Sequence, residues 1–230
     1  MALQLVTSRQ NVLFILFLQA ANFTLPDSTV ITVQRGFWFS AHEQWKIWTL
    51  PYLDVSKRLE ELFWDCEVAR SWNSRASCLP GLFASVTNTD PPVCDDGGYV
   101  SALGIPSIAF QNVTCFRIVT PYAASPMLAN QRSRPAGLVW YAHMLNRSHM
   151  QGPYGSTESS SADSDTISPV QTWDSKINSL VATIGGAVDI LAVRLDSDEV
   201  LTRFNDVVWN EYSRVFTQSA SKMPIALPCQ

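Results

Sequence analysis

The chain has 230 residues, enough for one domain with a sizeable core. Charged residues make up 16% and apolar residues 47%, with eight Trp, which excludes a disordered chain. The net charge of −4 carries no block of Lys or Arg, which excludes an electrostatic nucleic-acid surface, and no apolar run is long enough to span a bilayer.

Taken in order, Arg9 precedes the apolar run Val12 to Leu18 and Gln-Ala-Ala. This reads either as a signal peptide ending near Ala20 or Ala21, or as a buried segment of a longer fold. Residues 1–21 are set apart on that ground. Residues 22–35 are irregular or extended, with a turn at Leu25-Pro26-Asp27 and β-branched strand material from Thr29 to Val33. The stretch Gly36 to Lys46 then packs two Trp, two Phe, a His and a Glu into a short space, a mixture that suits a lined cleft better than a pure core.

Pro51 closes a helix running through the forties. Asp54 is expected to cap the next, in which Val55, Leu59, Leu62, Phe63, Cys66 and Ala69 fall at helical spacing as far as Trp72. From Ser74 to Gln111 the chain is rich in Gly, Pro, Asn, Asp and Ser and reads as a long loop, with Asp95-Asp96-Gly97-Gly98 a turn and no calcium loop. Residues 107–120 suggest a hairpin around Asn112. Pro135 opens a helix over 136–145 expected to bury Leu138, Tyr141 or Ala142, and Leu145. A polar loop from Gly152 to Pro169 contains the run Ser159-Ser160-Ser161. Ile177, Leu180, Val181, Ile184, Val188, Leu191 and Leu195 trace one helical face, with Gly185-Gly186 inside the pattern as a site of close helix packing. Leu201, Phe204, Val208, Tyr212 and Val215 trace another after a cap at Ser197. The tail from residue 219 to 230 reads as coil.

The five cysteines, Cys66, Cys78, Cys94, Cys115 and Cys229, show no C-x-x-C pair and no companion His spacing, so no metal site is expected. Buried free thiols and an oxidised state both fit. Sequons at Asn22, Asn112 and Asn146 favour a secreted or extracellular glycoprotein.

Apart from His42 and Glu43, acids meet aromatic residues at three loci: Asp65 and Glu67 before Arg70-Ser71-Trp72-Asn73; Tyr154 to Glu158; and Trp173-Asp174-Ser175-Lys176. Hydrolysis of a glycosidic bond needs two carboxyl groups across a cleft, one to protonate the leaving oxygen and one to activate water or attack. Aromatic rings beside them offer flat faces to sugar rings. Each locus also has a plainer reading. Glu67 and Arg70 form an i,i+3 pair of the kind that decorates a helix surface, and Asp174 stands where an N-cap belongs. Glu158, in a loop, has the least structural excuse.

The ordered segments Arg35 to Lys46, Ala69-Arg-Ser-Trp-Asn-Ser74, Pro80 to Val86, Gly104 to Phe110, Val119-Thr-Pro-Tyr122, Gly137 to Tyr141, Met150 to Glu158 and Thr172 to Lys176 resemble the glycoamylase-like family. That family is related to β-1,2-glucan-active glycoside hydrolases and to the glycoamylase domain of cyclic β-1,2-glucan synthases. The resemblance implies a mainly α fold over 22–218, a partial (α/α) toroid of helical hairpins with long polar loops and a few short strands. It corresponds to the C-terminal half of the family's domain, since a whole toroid takes about twelve helices and roughly 400 residues. Uncovered helix faces would then favour self-association.

The function implied is hydrolysis of a β-linked glucan, with no cofactor and an oligo- or polysaccharide as partner. Glu43, Glu158 and Asp174 are the expected catalytic carboxylates: Glu43 or Glu158 the acid, Asp174 the base or the residue orienting one. His42, Arg70, Asn73 and Gln151 would bond sugar hydroxyls, and Trp38, Trp45 and Trp173 would offer stacking faces. The alternatives are an inactive glycan-binding remnant and an incomplete fragment of a larger hydrolase.

Overall fold

A computed structural model of the chain describes residues 18–36, 46–82, 105–109, 118–165, 167–169, 171–197, 200–217 and 221–229. Trp38, His42, Glu43, Trp45 and the side chain of Asp174 lie outside the described residues. The β-branched lead-in is a strand as expected, and it has a partner that the sequence reading did not name: β1 (Ala20–Thr24) and β2 (Val30–Gln34) form an antiparallel hairpin with Ala20 opposite Gln34 and Thr24 opposite Val30. Its turn is closed by Ser28 N–H donating to the Leu25 carbonyl at 2.9 Å and by Asp27 accepting from Thr29 N–H at 3.0 Å. Ile31 and Val33 point inward and seat the hairpin on α1 (Lys57–Ala76).

Helix α1 is interior on several sides at once. Residues 65–71 are all buried, so its charged side chains must find partners inside the protein. Its cap is Ser56, whose Oγ accepts from Leu59 N–H at 3.2 Å; the expectation of a cap at Asp54 is corrected. Beyond the long loop, a 3-10 turn (Pro121–Ala124) leads into the short helix α2 (Ser125–Ala129) and then α3 (Arg134–Leu145). The helix expected over 136–145 is present, but it buries Gly137, Trp140 and Met144 and leaves Leu138 exposed. Pro80-Gly81 threads between β3 (Ile118–Val119) and α3, where a Cβ on Gly81 would meet Val119 at 2.3 Å and Met144 at 2.7 Å.

The polar segment after α3 is structured. Strands β4 (Gln151–Gly152) and β5 (Gly155–Ser156) form a tight antiparallel hairpin, and β6 (Ser160–Ser161) pairs antiparallel with β3. The 107–120 hairpin is therefore corrected at its described end, where Ile118 and Val119 take the serine run as partner; residues 110–117 lie outside the described residues. Helices α4 (Trp173–Thr183), α5 (Val188–Ser197) and α6 (Leu201–Val215) complete the order. Gly185 and Gly186 have φ of +102° and +87°, and the helix axes on either side turn by 87°. The pair thus ends α4, in contrast to the expected passage through one helical pattern. Ala187 N–H then donates to the Trp48 carbonyl at 2.7 Å, which fixes where α5 begins. Ser197 is the last residue of α5 and makes no cap for α6.

Helix α6 buries Phe204, Val208 and Tyr212, as its period requires. Tyr212 is the centre of an aromatic cluster, with ring centroids 5.7 Å from Phe216, 5.9 Å from Phe63 and 6.4 Å from Tyr52. The protein is mainly α, with short two-stranded sheets at its loops. No single helix among the described residues is long and apolar enough to cross a membrane.

The described part of the tail, residues 221–229, has no regular secondary structure, yet it is a strap laid across α1 and α3. Three indole N–H groups hold its carbonyls: Trp64 donates to Met223 at 2.9 Å, Trp72 to Pro224 at 3.0 Å and Trp140 to Ala226 at 2.8 Å. Asp65 receives Ser221 through its N–H (2.9 Å) and its hydroxyl (2.5 Å), and Ala226 N–H donates to Ser71 Oγ at 3.0 Å.

Candidate functional site

Glu158 follows the β4-β5 hairpin in a segment pinned on both sides. Thr157 N–H donates to the Met150 carbonyl at 2.8 Å, the Thr157 hydroxyl donates to the Ser168 carbonyl, and Ser168 N–H donates back to Ser159 at 2.9 Å. The segment passes the start of α4, where Thr172 is the N-cap and its hydroxyl accepts from Ser175 N–H at 3.2 Å. Glu158 is 4% exposed, and its Oε2 receives both the Thr172 and the Ser175 hydroxyl at 2.6 Å. Among the described residues no hydrogen bond reaches Oε1. One oxygen is thus fixed in place, and the other remains available to a ligand.

The elements that hold this carboxylate also carry two exposed aromatic residues. Trp173, the first residue of α4, is 75% exposed, and Tyr154, at the hairpin turn, is 81% exposed. Both rings offer flat apolar faces that a ligand or further protein could cover. Lys176 Nζ donates to the Ser156 carbonyl at 3.2 Å, and a Cβ on Gly152 would lie 3.2 Å from Gln171, so the hairpin is docked against the first turn of α4. Gln151 is exposed on β4.

Arg147 organises the loop from beneath. Its guanidinium donates to the Ser161 carbonyl at 2.8 Å, the Ala162 carbonyl at 2.9 Å and the Ser164 hydroxyl at 2.6 Å. Burial pulls its pKa below the ordinary value, and it helps to depress that of His143.

Arg70 is in the framework below. It is 3% exposed, donates from Nη2 to Glu67 Oε2 at 2.7 Å and to the Ala123 carbonyl at 2.7 Å, and ties α1 to the 3-10 turn. The surface decoration expected of the Glu67–Arg70 pair is corrected, because both side chains are buried. Burial raises the Glu67 carboxyl above its usual range against the opposing pull of Arg70, and Oε1 of Glu67 is buried without a partner. Asn73 is half-buried, and its carbonyl accepts from Ser77 N–H.

The described residues on either side of the aromatic stretch, Arg35 and Gly36 before it and Lys46 after it, make defined contacts. Gly36 N–H donates to Ile108 at 2.7 Å, Arg35 Nε to Ala109 at 3.1 Å, and Lys46 Nζ to the Tyr212 hydroxyl at 3.3 Å. The expectation of an N-cap at Asp174 is corrected: the cap is Thr172, and Asp174, two residues on, lies in the first turn of α4.

A second concavity of about 600 Å³ lies between residues 47–54, the α2-α3 junction and the α4-α5 turn. Asp54, Glu60 and Asp189 face it with Arg134, and burial followed by repulsion from Asp189 and Glu60 raises the Asp54 carboxyl. It has the volume of a ligand site but, among the described residues, no aromatic ring in its wall, so the Glu158 locus fits sugar chemistry better. Among the described residues no group of three His, Cys, Asp or Glu side chains is placed to hold a metal.

The profile of the endo-beta-1,2-glucanase SGL family matches residues 8–230. The chain belongs to that family. Two solved structures of an endo-beta-1,2-glucanase from Talaromyces funiculosus share the fold at a TM-score of 0.81 and 35% identity over 93% of this chain. One is a Glu-to-Gln mutant with beta-1,2-glucan, the other a complex with sophorose. The chain spans 43% of the length of those structures. No curated protein matches it. Membership of this SGL family agrees with the resemblance read from the motifs and with their mainly helical architecture.

Sequence reasoning missed Thr172, Ser175 and Arg147. A Thr three residues before a Ser at a helix start is a capping signal that could have revealed the first two. Arg147 was hidden inside a sequon.

Proposed function

We propose that this chain forms the carboxylate-bearing wall of a cleft in which a glycoside hydrolase cleaves β-1,2-glucan. The observation that carries the reading is Glu158: a buried carboxylate with one oxygen oriented by two hydroxyls at the start of the helix that exposed Trp173 opens. The beta-1,2-glucan and sophorose complexes of the Talaromyces relative support the substrate class.

In this reading Glu43 or Glu158 donates the proton to the leaving oxygen, and Asp174 acts as the base or orients one. Trp173 stacks on a glucose ring, with Trp38 and Trp45 as further faces, while His42, Asn73 and Gln151 bond hydroxyls. Arg70 acts at one remove, through the Ala123 carbonyl. Exposure of Asn22 and Asn146 supports a secreted glycoprotein. Exposed Leu180, Ile184, Ile190 and Val193 support self-association, which sedimentation of the purified chain would reveal.

The test is reducing-sugar release from β-1,2-glucan. Turnover by the chain, abolished in Glu43→Gln plus Glu158→Gln, is the expected result; no activity above that control defeats the hydrolase reading. A second reading is a glycan-binding wall without turnover. Binding without sugar release selects it.

A further inference from the structure

The C-terminal strap ends against the C-terminus of α1, and there two cysteines meet. Cys229 donates from Sγ to Cys78 Sγ at 3.3 Å and to the Arg75 carbonyl at 3.3 Å. Neither thiol is buried, so both are open to exchange, whereas Cys66 is buried and its Sγ accepts from Gln34 N–H at 3.3 Å.

A second, independent feature singles out Cys78. It occupies the position just past the end of α1, where Cys78 N–H donates to the Arg75 carbonyl and Leu79 N–H reaches back to Ser74 at 2.8 Å. Its φ is +45°, the left-handed region that glycine or asparagine fills at least cost at such a helix end. A cysteine there is not the residue that the backbone alone would select, and the conformation turns its thiol onto the strap.

We propose that Cys78 and Cys229 form a disulfide that locks the C-terminal strap onto α1. The electron balance requires an oxidant of the thiol-disulfide class, either oxidised glutathione or an oxidoreductase disulfide. The Cys78 thiolate attacks one sulfur of the donor disulfide and releases the other as a thiol; Cys229, after losing its proton, displaces the second donor thiol from the mixed disulfide. Two cysteine thiols and one donor disulfide thus give one protein disulfide and two donor thiols. The hydrogen bond to Cys78 holds the proton of Cys229 and raises its pKa, so exchange quickens as the medium becomes more alkaline.

The two cysteines are 151 positions apart in the chain, so the bond closes a long loop, where a cross-link restricts the unfolded chain most. It also secures the end of a strap that already holds α1 and α3 through three indole donors. Closure does not depend on the glucan cleft and stands or falls apart from it.

The experiment is native oxidation of the 230-residue chain with oxidised glutathione, followed by peptide mapping and thermal unfolding. A linked peptide joining Cys78 and Cys229, two hydrogens lighter than its reduced halves, and a Tm higher by roughly 5–15 °C are expected. Cys78→Ser and Cys229→Ser, both at accessible positions, should each abolish the linked peptide and the rise in Tm. The proposal is overturned if both thiols remain alkylatable after oxidation, if they pair instead with Cys66, Cys94 or Cys115, or if the linked chain melts where the reduced one does.

Discussion

Replacing Arg70 by methionine tests the framework under the candidate site. Methionine keeps much of the volume but removes, among the described residues, two hydrogen bonds to Glu67 Oε2, at 2.7 and 3.1 Å, and one to the Ala123 carbonyl at 2.7 Å. Glu67 would be left buried with neither oxygen partnered, since Oε1 has no partner to begin with. An orphaned buried charge costs about 3–5 kcal/mol. Protonation sets a ceiling on that cost. Because the folded-state carboxyl already lies above its ordinary 4.5, holding it neutral at pH 7 takes less than about 2.5 units, or less than about 3.4 kcal/mol at about 1.4 kcal/mol per unit. At pH 5 the same ceiling falls below about 0.7 kcal/mol.

The sign follows from proton binding. Burial already raises the folded-state pKa of Glu67, so the folded chain binds more protons than the unfolded one between 4.5 and that raised value. The resulting stabilisation is complete below 4.5 and is lost as pH rises through the folded pKa; loss of Arg70 raises that pKa further. Urea unfolding followed by tryptophan fluorescence at pH 5 and pH 7 is the assay, and the Arg70→Met penalty should be several-fold larger at pH 7. A penalty equal at the two pH values, or below about 1 kcal/mol at pH 7, would refute the buried-pair account.

Ser221→Ala strips Asp65 of its side-chain partner and should cost about 1–3 kcal/mol in urea unfolding, with faster proteolysis of residues 221–229. Loss of less than about 0.5 kcal/mol with unchanged proteolysis would contradict the strap. Gly81→Ala drives a methyl into Val119 and Met144 and should lower stability by about 1–3 kcal/mol, read as a fall in Tm; an unchanged Tm would mean that this approach is looser than described. Trp173→Ala, at a 75% exposed position, should leave stability within about 0.5 kcal/mol yet weaken glucan-oligosaccharide binding at least tenfold in calorimetry. Undiminished binding would remove Trp173 from the cleft.

Period and turn chemistry made α6 and β2 legible in the sequence, because Phe204, Val208 and Tyr212 fall at one spacing and Val30 to Val33 are β-branched. Helix α3 was located but its face was not. Apolar residues surround it, and the choice between Leu138 and Trp140 is made by Trp140 Nε1 finding the Ala226 carbonyl 86 positions away. The Glu67–Arg70 spacing is the same on a surface helix as on a buried one, so only the unbroken burial of residues 65–71 could separate the two. The Gly185-Gly186 break was masked by apolar residues that continue the pattern on either side, several of which prove to be exposed. At the site, the motifs identified Glu158, Asp174 and Trp173 as neighbours in purpose. The hydroxyl clamp on Glu158 depended on a cap position assigned two residues late.

Calorimetric titration of the purified chain with β-1,2-linked gluco-oligosaccharides tests the central claim most directly. The account predicts saturable binding that is lost in Glu158→Gln combined with Trp173→Ala, while a β-1,4-linked oligosaccharide of equal length binds more weakly. Absence of binding heat from a chain that still unfolds cooperatively, or binding that the double variant retains, would contradict it.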